Sequence, residues 1–417
     1  MEKSGKFRLT SLERNWILYD VGNSAFVLMV ATLIPIFFNA LAESGGLSSV
    51  EYLAYWGYAS SAVTVITAVL SPILGTVADT KGFKKPIFIL CVFVGIVGCC
   101  AMGAASAWLP FLVIFVIAKV GFSGSLVFYD SMLSDVTTPE RMDEVSSRGY
   151  AWGYIGSCVP FVVCLGLVLG AGSIGISQMT ALNLALLLTA AWWLLTTLPL
   201  LKSYKQLYYV EVEKHAVRQS FARIGHTLRH LPEDKQVFWF LLAFFCYIDG
   251  VYTIIDMATA YGTALGLDTT GLLLALLVTQ IVAFPSALIF GRLSNRYPWA
   301  KLIPVCIAAY AGIAVFAFFL TQQWQFWVLA VIVGMFQGGV QALSRSHFAK
   351  IIPPEKSGEY FGLFDICGKG ASFLGTMIVS VGSQLTGSAN VGVGSLIVLF
   401  IVGFVLFRVS CRQGETV

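Results

Sequence analysis

Six ionisable residues occupy positions where charge is costly. Asp20, Lys119, Asp249, Asp256, Asp365 and Lys369 each fall within a long apolar run. On the translocon scale a charge at mid-span costs roughly 2.5–3.5 kcal/mol, so six facing lipid would cost ~15–20 kcal/mol. That exceeds the ~5–15 kcal/mol net stability of a typical fold. They must therefore face a polar cavity or one another. Helical spacing sorts them: Asp20 with Asn23, then Lys119 with Ser123 and Asp130, then Asp249 with Tyr252 and Asp256. Gln337 and Gln341 line one side of a later run, and Gln280 sits in the middle of another.

Two kinds of chemistry follow. Asp249 and Asp256 share a helix with no Lys or Arg neighbour, and desolvation with mutual repulsion suits such carboxylates to exchanging protons. Asp365 joins them as a candidate proton-coupling residue. Asp20, Asn23, Lys119, Ser123, Tyr252, Gln280, Gln337, Gln341 and Lys369 are the candidates for holding a polar solute. Plainer readings stand beside these. Asp365 and Lys369, at i and i+4, fit an internal ion pair; Asp20 fits a structural role at an inner helix end; Gln280 fits helix-packing glue. Lys119 has no carboxylate at i±3 or i±4 and needs a partner from another helix or a ligand anion. It is expected to project into a central cavity and meet either Asp20 or a substrate anion.

These residues are carried on membrane helices. Of 417 residues, 57% are apolar and 12% charged, against roughly 25% charged in a soluble domain. Twelve apolar runs long enough to cross a ~30 Å hydrocarbon core lie near 15–41, 53–78, 86–106, 108–133, 150–171, 176–200, 236–262, 270–293, 301–321, 326–349, 358–384 and 390–409. Ala40-Leu41-Ala42 looks like a signal-peptidase site, but the stretch before it is too long and contains Asp20, so a first transmembrane helix is expected. With both termini inside, every Lys and Arg except Lys119 and Lys369 falls on an inner segment, as the positive-inside rule requires. The net charge of +4 thus reports topology and not nucleic-acid binding.

The chain divides into a six-helix unit (1–200), an inner linker (201–235) and a second six-helix unit (236–417). Within the linker, Val217, Phe221, Ile224, Leu228 and Leu231 share one helical face, the pattern of an amphipathic helix on the membrane surface; a disordered linker is the alternative. The halves repeat weakly. Leu18-Tyr19-Asp20-Val21-Gly22 is echoed by Tyr247-Ile248-Asp249-Gly250, and Pro139-Glu140 by Pro354-Glu355. Gly75, Asp79 and Lys84 are echoed by Gly291, Asn295 and Lys301, with Asn295 standing where an acid would pair more strongly. The nine cysteines and four histidines show no metal or redox spacing, and no cofactor is expected. The phosphate loop Gly-x-x-x-x-Gly-Lys-Ser/Thr is absent, and no nucleophile–base pair suggests an enzyme.

The loop Gly75-Thr-Val-Ala-Asp79-Thr-Lys-Gly82-Phe-Lys84-Lys85-Pro86 resembles the loop signature of the major facilitator superfamily. Trp16-Ile-Leu-Tyr19-Asp20, Phe128-Tyr129-Asp130, Arg148-Gly149-Tyr-Ala-Trp-Gly153, Gln341-Ala-Leu-Ser344-Arg345 and Phe361-Gly-Leu-Phe-Asp365 together resemble the branch related to autophagy-linked vacuolar amino-acid effluxers. The resemblance implies an all-α, twelve-helix fold of two pseudo-symmetric bundles, with a central site lined by helices one, four, seven and ten. It also implies gating by Gly75, Asp79, Lys84, Lys85, Asp130 and Arg345. The function it implies is secondary transport of a small polar or zwitterionic solute, driven by protons or another coupling ion. The protein would act as a monomer in a bacterial inner membrane. A transport-dead sensor or lipid scramblase on the same fold is the alternative.

Overall fold

The computed structural model describes residues 7–211, 225–227 and 229–414. The expected amphipathic linker helix rests mainly on Val217, Phe221, Ile224 and Leu228, which lie outside the described residues.

The first half contains α1 (Ser11–Ala31), α2 (Leu33–Ser44), α3 (Ser49–Ala78), α4 (Lys84–Gly103), α5 (Trp108–Ser131), the single turn α6 (Leu133–Val136), α7 (Met142–Leu169) and α8 (Gln178–Ser203). The second contains α9 (Lys235–Ala264), α10 (Thr269–Leu293), α11 (Trp299–Phe318), α12 (Gln323–Ile351), α13 (Ser357–Thr386), α14 (Ala389–Gly394) and α15 (Ile397–Gly414). Among the described residues, eleven helical segments are long and apolar enough to cross a membrane. The 30-residue α13, rising about 1.5 Å per residue, is also long enough to span.

The first run is one span with a break, where the sequence suggested a continuous helix. α1 stops at Ala31, Thr32 leaves helical geometry at φ −133° and ψ −77°, and α2 resumes at Leu33. Pro35 explains this: it lacks an N–H, and its ring clashes with the carbonyl four residues back, that of Ala31.

Packing repeats between the halves. α1 packs on α7 and α8 as α9 packs on α13 and α15, and α4 lies against α5 as α11 lies against α12. Across the halves α3 packs on α13, and α7 packs on α10. Large apolar side chains such as Phe93, Leu195, Val305 and Val405 are more than half exposed on the outer surface. In water such a belt would associate; facing acyl chains it is in its solvent.

Candidate functional site

A cavity of 650 Å³ lies between the halves. Lys119 and Ser123 reach it from α5, Tyr252 and Asp256 from α9, Gln280 from α10, and Thr32 and Pro35 from the broken first span. Asp256 lies within Coulombic reach of Lys119. An ammonium and a carboxylate therefore share one chamber with hydroxyl and amide groups, an arrangement suited to a small polar ligand. Residues from both halves form the wall, so relative motion of the halves changes the site.

The cavity is closed towards the face that carries Ser11 and Gly414, called here the terminal face. Two locks hold it. In the first, Arg345 leaves α12 and inserts between α1, α5 and α7. Its Nη1 donates to Asp130 Oδ1 at 2.9 Å, Nε donates to Ser146 Oγ at 2.9 Å, and Nη2 donates to the Ser146 carbonyl at 3.0 Å. Asp20 Oδ2 stands 3.9 Å from Nη1. The guanidinium also lies over the rings of Tyr150, at 4.2 Å, and Trp16, at 4.8 Å. Arg345 is 2% exposed, and only a planar guanidinium satisfies that many partners at once.

In the second lock, Asp79 at the end of α3 accepts from the backbone N–H groups of Gly358, at 2.7 Å, and Glu359, at 2.8 Å. These are first-turn donors of α13 that the helix itself cannot satisfy, and the helix dipole favours an anion there. Burial pushes the Asp79 carboxyl up to about 7, while the Lys84 ammonium pulls it down. Lys84, itself fully buried, donates to Ser357 Oγ at 2.8 Å and lies 3.8 Å from Asp79 and 3.4 Å from Asp135. Gly75 faces Gly358 so closely that a β-carbon on Gly75 would overlap the Gly358 carbonyl.

The sequence matches the family model described as "Vacuole effluxer Atg22 like" over residues 11–140 and 134–416. The chain belongs to this Atg22-like family. A Bacillus subtilis relative described as an uncharacterized MFS-type transporter, YxiO, is 42% identical over 98% of this chain and 97% of its own length. Autophagy-related protein 22 of Saccharomyces cerevisiae is 26% identical over 58% of the chain, which spans about half of that longer protein. Among solved structures, the human organic anion transporter MFSD10 superposes with a TM-score of 0.72 at 15% identity, covering 95% of this chain and 98% of that one. FucP in its outward conformation gives 0.70 at 16% identity, covering 96% and 97%. The fold is that of the major facilitator transporters.

Within this Atg22-like protein the candidate residues separate by location. Of the two partners expected for Lys119, Asp20 stands beside Arg345 instead, and Lys119 lines the cavity with Asp256. The reason is rotation along α1. Tyr19 points at α5, its hydroxyl donating to Ser125 Oγ at 2.7 Å, so the next residue turns towards α7 and α12. Asn23 is buried beside it and donates to the Tyr19 carbonyl at 3.1 Å. Asp249 does not share the cavity with Asp256. It is fully buried against α13, accepting from the Gly375 N–H at 2.8 Å and Thr253 Oγ1 at 3.3 Å.

Gln337 borders a separate 50 Å³ pocket inside the second half, which Gln280 also touches. Gln341 accepts from the Tyr154 hydroxyl at 2.7 Å. Asp365 accepts from Ser71 Oγ at 2.8 Å, joining α13 to α3. Lys85 donates to the Tyr204 carbonyl at 3.4 Å, away from both locks. The Lys369 side chain lies outside the described residues.

Several gate residues escaped the sequence reading. Asp135 accepts from the N–H groups of Leu207 and Tyr208, both at 3.0 Å, and from the Tyr204 hydroxyl at 2.5 Å, strapping the start of the linker beneath the first half. Asn295, already marked as the echo of Asp79, donates to Glu144 Oε2 at 3.1 Å, and Lys350 pairs with Asp143 at 2.7 Å. Glu144 was detectable: it stands 215 residues before Glu359, the same offset that relates Pro139-Glu140 to Pro354-Glu355.

Proposed function

We propose that this Atg22-like protein is a secondary active transporter that moves a small polar or zwitterionic, amino-acid-like solute by alternating access, coupled to protons. The observation that carries the reading is the placement of Lys119 and Asp256 on the walls of one 650 Å³ cavity shut at one face. A solute bearing both a carboxylate and an ammonium matches the two walls. Tyr252, Ser123 and Gln280 supply donors and acceptors between them.

Alternating access follows from the locks. Opening the terminal face withdraws Arg345 from Asp130 and Ser146 and parts Asp79 from the α13 amides. Asp256 then serves as the proton-coupling carboxylate, because a proton there competes with the solute ammonium for the same group. The excess of basic residues on the terminal face supports a cytoplasmic position for it, and in that orientation this form is outward-facing. The working unit is a monomer divided as 1–200, 201–235 and 236–417, seated in a bacterial inner membrane.

An uptake screen of mixed metabolites into proteoliposomes, with and without an imposed pH gradient, tests the proposal. Gradient-dependent accumulation of an amino-acid-like solute is the expected result. Absence of flux for every solute would leave the sensor or scramblase reading. Reporter fusions at Ser44 and Gln219 should report outside and inside, and a cytosolic signal at Ser44 would overturn the orientation.

A further inference from the structure

A further cavity, of 460 Å³, opens at the terminal face between the start of α4 and the strap that follows α8. Its wall carries three ammonium groups, Lys81, Lys85 and Lys205, together with Tyr204, Gln206 and Tyr209. Among the described residues, one carboxylate forms an ion pair with these three cations. Glu211 holds Lys81 at 3.2 Å, and both side chains are well exposed, at 76% and 60% respectively. Such an exposed pair is weak and exchanges readily for a better anion. Lys85 reaches only the Tyr204 carbonyl. Lys205 is exposed and has no hydrogen-bond or ion-pair partner among the described residues.

The frame around these lysines is fixed. Val210 N–H donates to the Asp79 carbonyl at 2.8 Å and Lys81 N–H to the Val210 carbonyl at 3.3 Å. The Gln206 side chain accepts from Gly82 N–H at 3.0 Å and donates to the Ala78 carbonyl at 3.1 Å. Gly82 holds φ +78°, a turn that aims the chain back over the strap. The lysines therefore converge from two anchored segments.

One further feature identifies the occupant. Ile89 closes the membrane side of the cavity, and below it Leu90, Phe93 and Val97 continue along α4 with 59%, 61% and 46% of their surface exposed. A cationic chamber opening onto an apolar helix track suits a molecule with a phosphate head and acyl tails. We propose that this cavity binds the phosphate headgroup of an anionic phospholipid, with the acyl chains lying along Ile89, Leu90, Phe93 and Val97. The bound headgroup bridges α4 and the linker strap and holds the strap against the loop that carries Asp79. Nothing in this assignment depends on what the central cavity carries.

The test uses the full-length protein in neutral detergent, titrated with phosphatidylglycerol, phosphatidylcholine or inorganic phosphate while the thermal unfolding temperature is read. Phosphatidylglycerol alone should stabilise the parent in a saturable manner. Each lysine near an anionic lipid contributes enough for roughly a fivefold change in affinity. Lys81→Gln/Lys85→Gln/Lys205→Gln should therefore need about a hundredfold more lipid, whereas the exposed pair Arg296→Gln/Lys301→Gln on the same face should match the parent. Should the triple variant fail to fold, Lys205→Gln alone, at an exposed residue, should still show the fivefold loss. Equal stabilisation by phosphatidylcholine, or equal loss in the control pair, would overturn the site. Equal stabilisation by inorganic phosphate would make it a soluble-anion site and overturn the lipid assignment.

Discussion

The guanidinium of Arg345 and the carboxylate of Asp130, 2.9 Å apart, join residues separated by 215 positions. That is the offset relating Pro139-Glu140 to Pro354-Glu355, and α5 and α12 are the fourth spans of their halves. The ion pair thus links corresponding positions of the two halves, an acid in the first and a base in the second.

Arg345→Gln should destabilise the closed form by about 3–5 kcal/mol, because it leaves Asp130 buried without its cation. Arg345→Lys should fall between, keeping the charge but losing the fork to Ser146. Thermal unfolding of the purified variants checks both values. In double-mutant cycles Arg345 and Asp130 should couple by more than 1 kcal/mol, while Lys119 and Asp20 should be additive within ~0.5 kcal/mol.

Acidity should favour closure through Asp79. Burial holds its carboxyl up to about 7 in the closed form, whereas in an opened gate it returns towards the ordinary ~4. The closed state then binds more protons between those values, so closure is strengthened as pH falls through 7 and weakened as pH rises through it. Amide exchange at Gly358 and Glu359, corrected for intrinsic rates, should slow between pH 8 and pH 5. Asp79→Asn should flatten the dependence, and faster corrected exchange in acid would refute it.

Gly75→Ala should hinder the α3–α13 approach at a cost of about 1–3 kcal/mol to the closed form, since its β-carbon meets the Gly358 backbone, which has little room to yield. Gly57→Ala is the control, with nothing within 4 Å of the added carbon. Unfolding temperature and protease sensitivity at the terminal face should change in the first variant only.

Asp256 and Asp249 should part company in function. Asp256→Asn should abolish gradient-driven accumulation while solute exchange and unfolding temperature persist. Asp249→Ala should cost about 1–3 kcal/mol by leaving the Gly375 N–H without its acceptor, with coupling retained in whatever protein folds. Accumulation by Asp256→Asn equal to the parent would place coupling elsewhere.

The apolar runs along the sequence determined the membrane and the all-helical fold, because a bilayer permits only apolar helices of set length. The family resemblance also pointed to Asp79, Asp130 and Arg345 as gate residues, and helical spacing placed Lys119, Tyr252 and Asp256 on polar stripes. The sequence did not reveal the partners. One residue of helical rotation, about 100°, decides whether Asp20 meets α5 or α12, and spacing along a helix is blind to how neighbouring helices are turned. The same limit hid Asp135, whose ligands come from the strap beyond α8, and separated Asp249 from the cavity that Asp256 lines. Tertiary packing made those decisions, because a buried charge takes the donor that the folded neighbours bring to it.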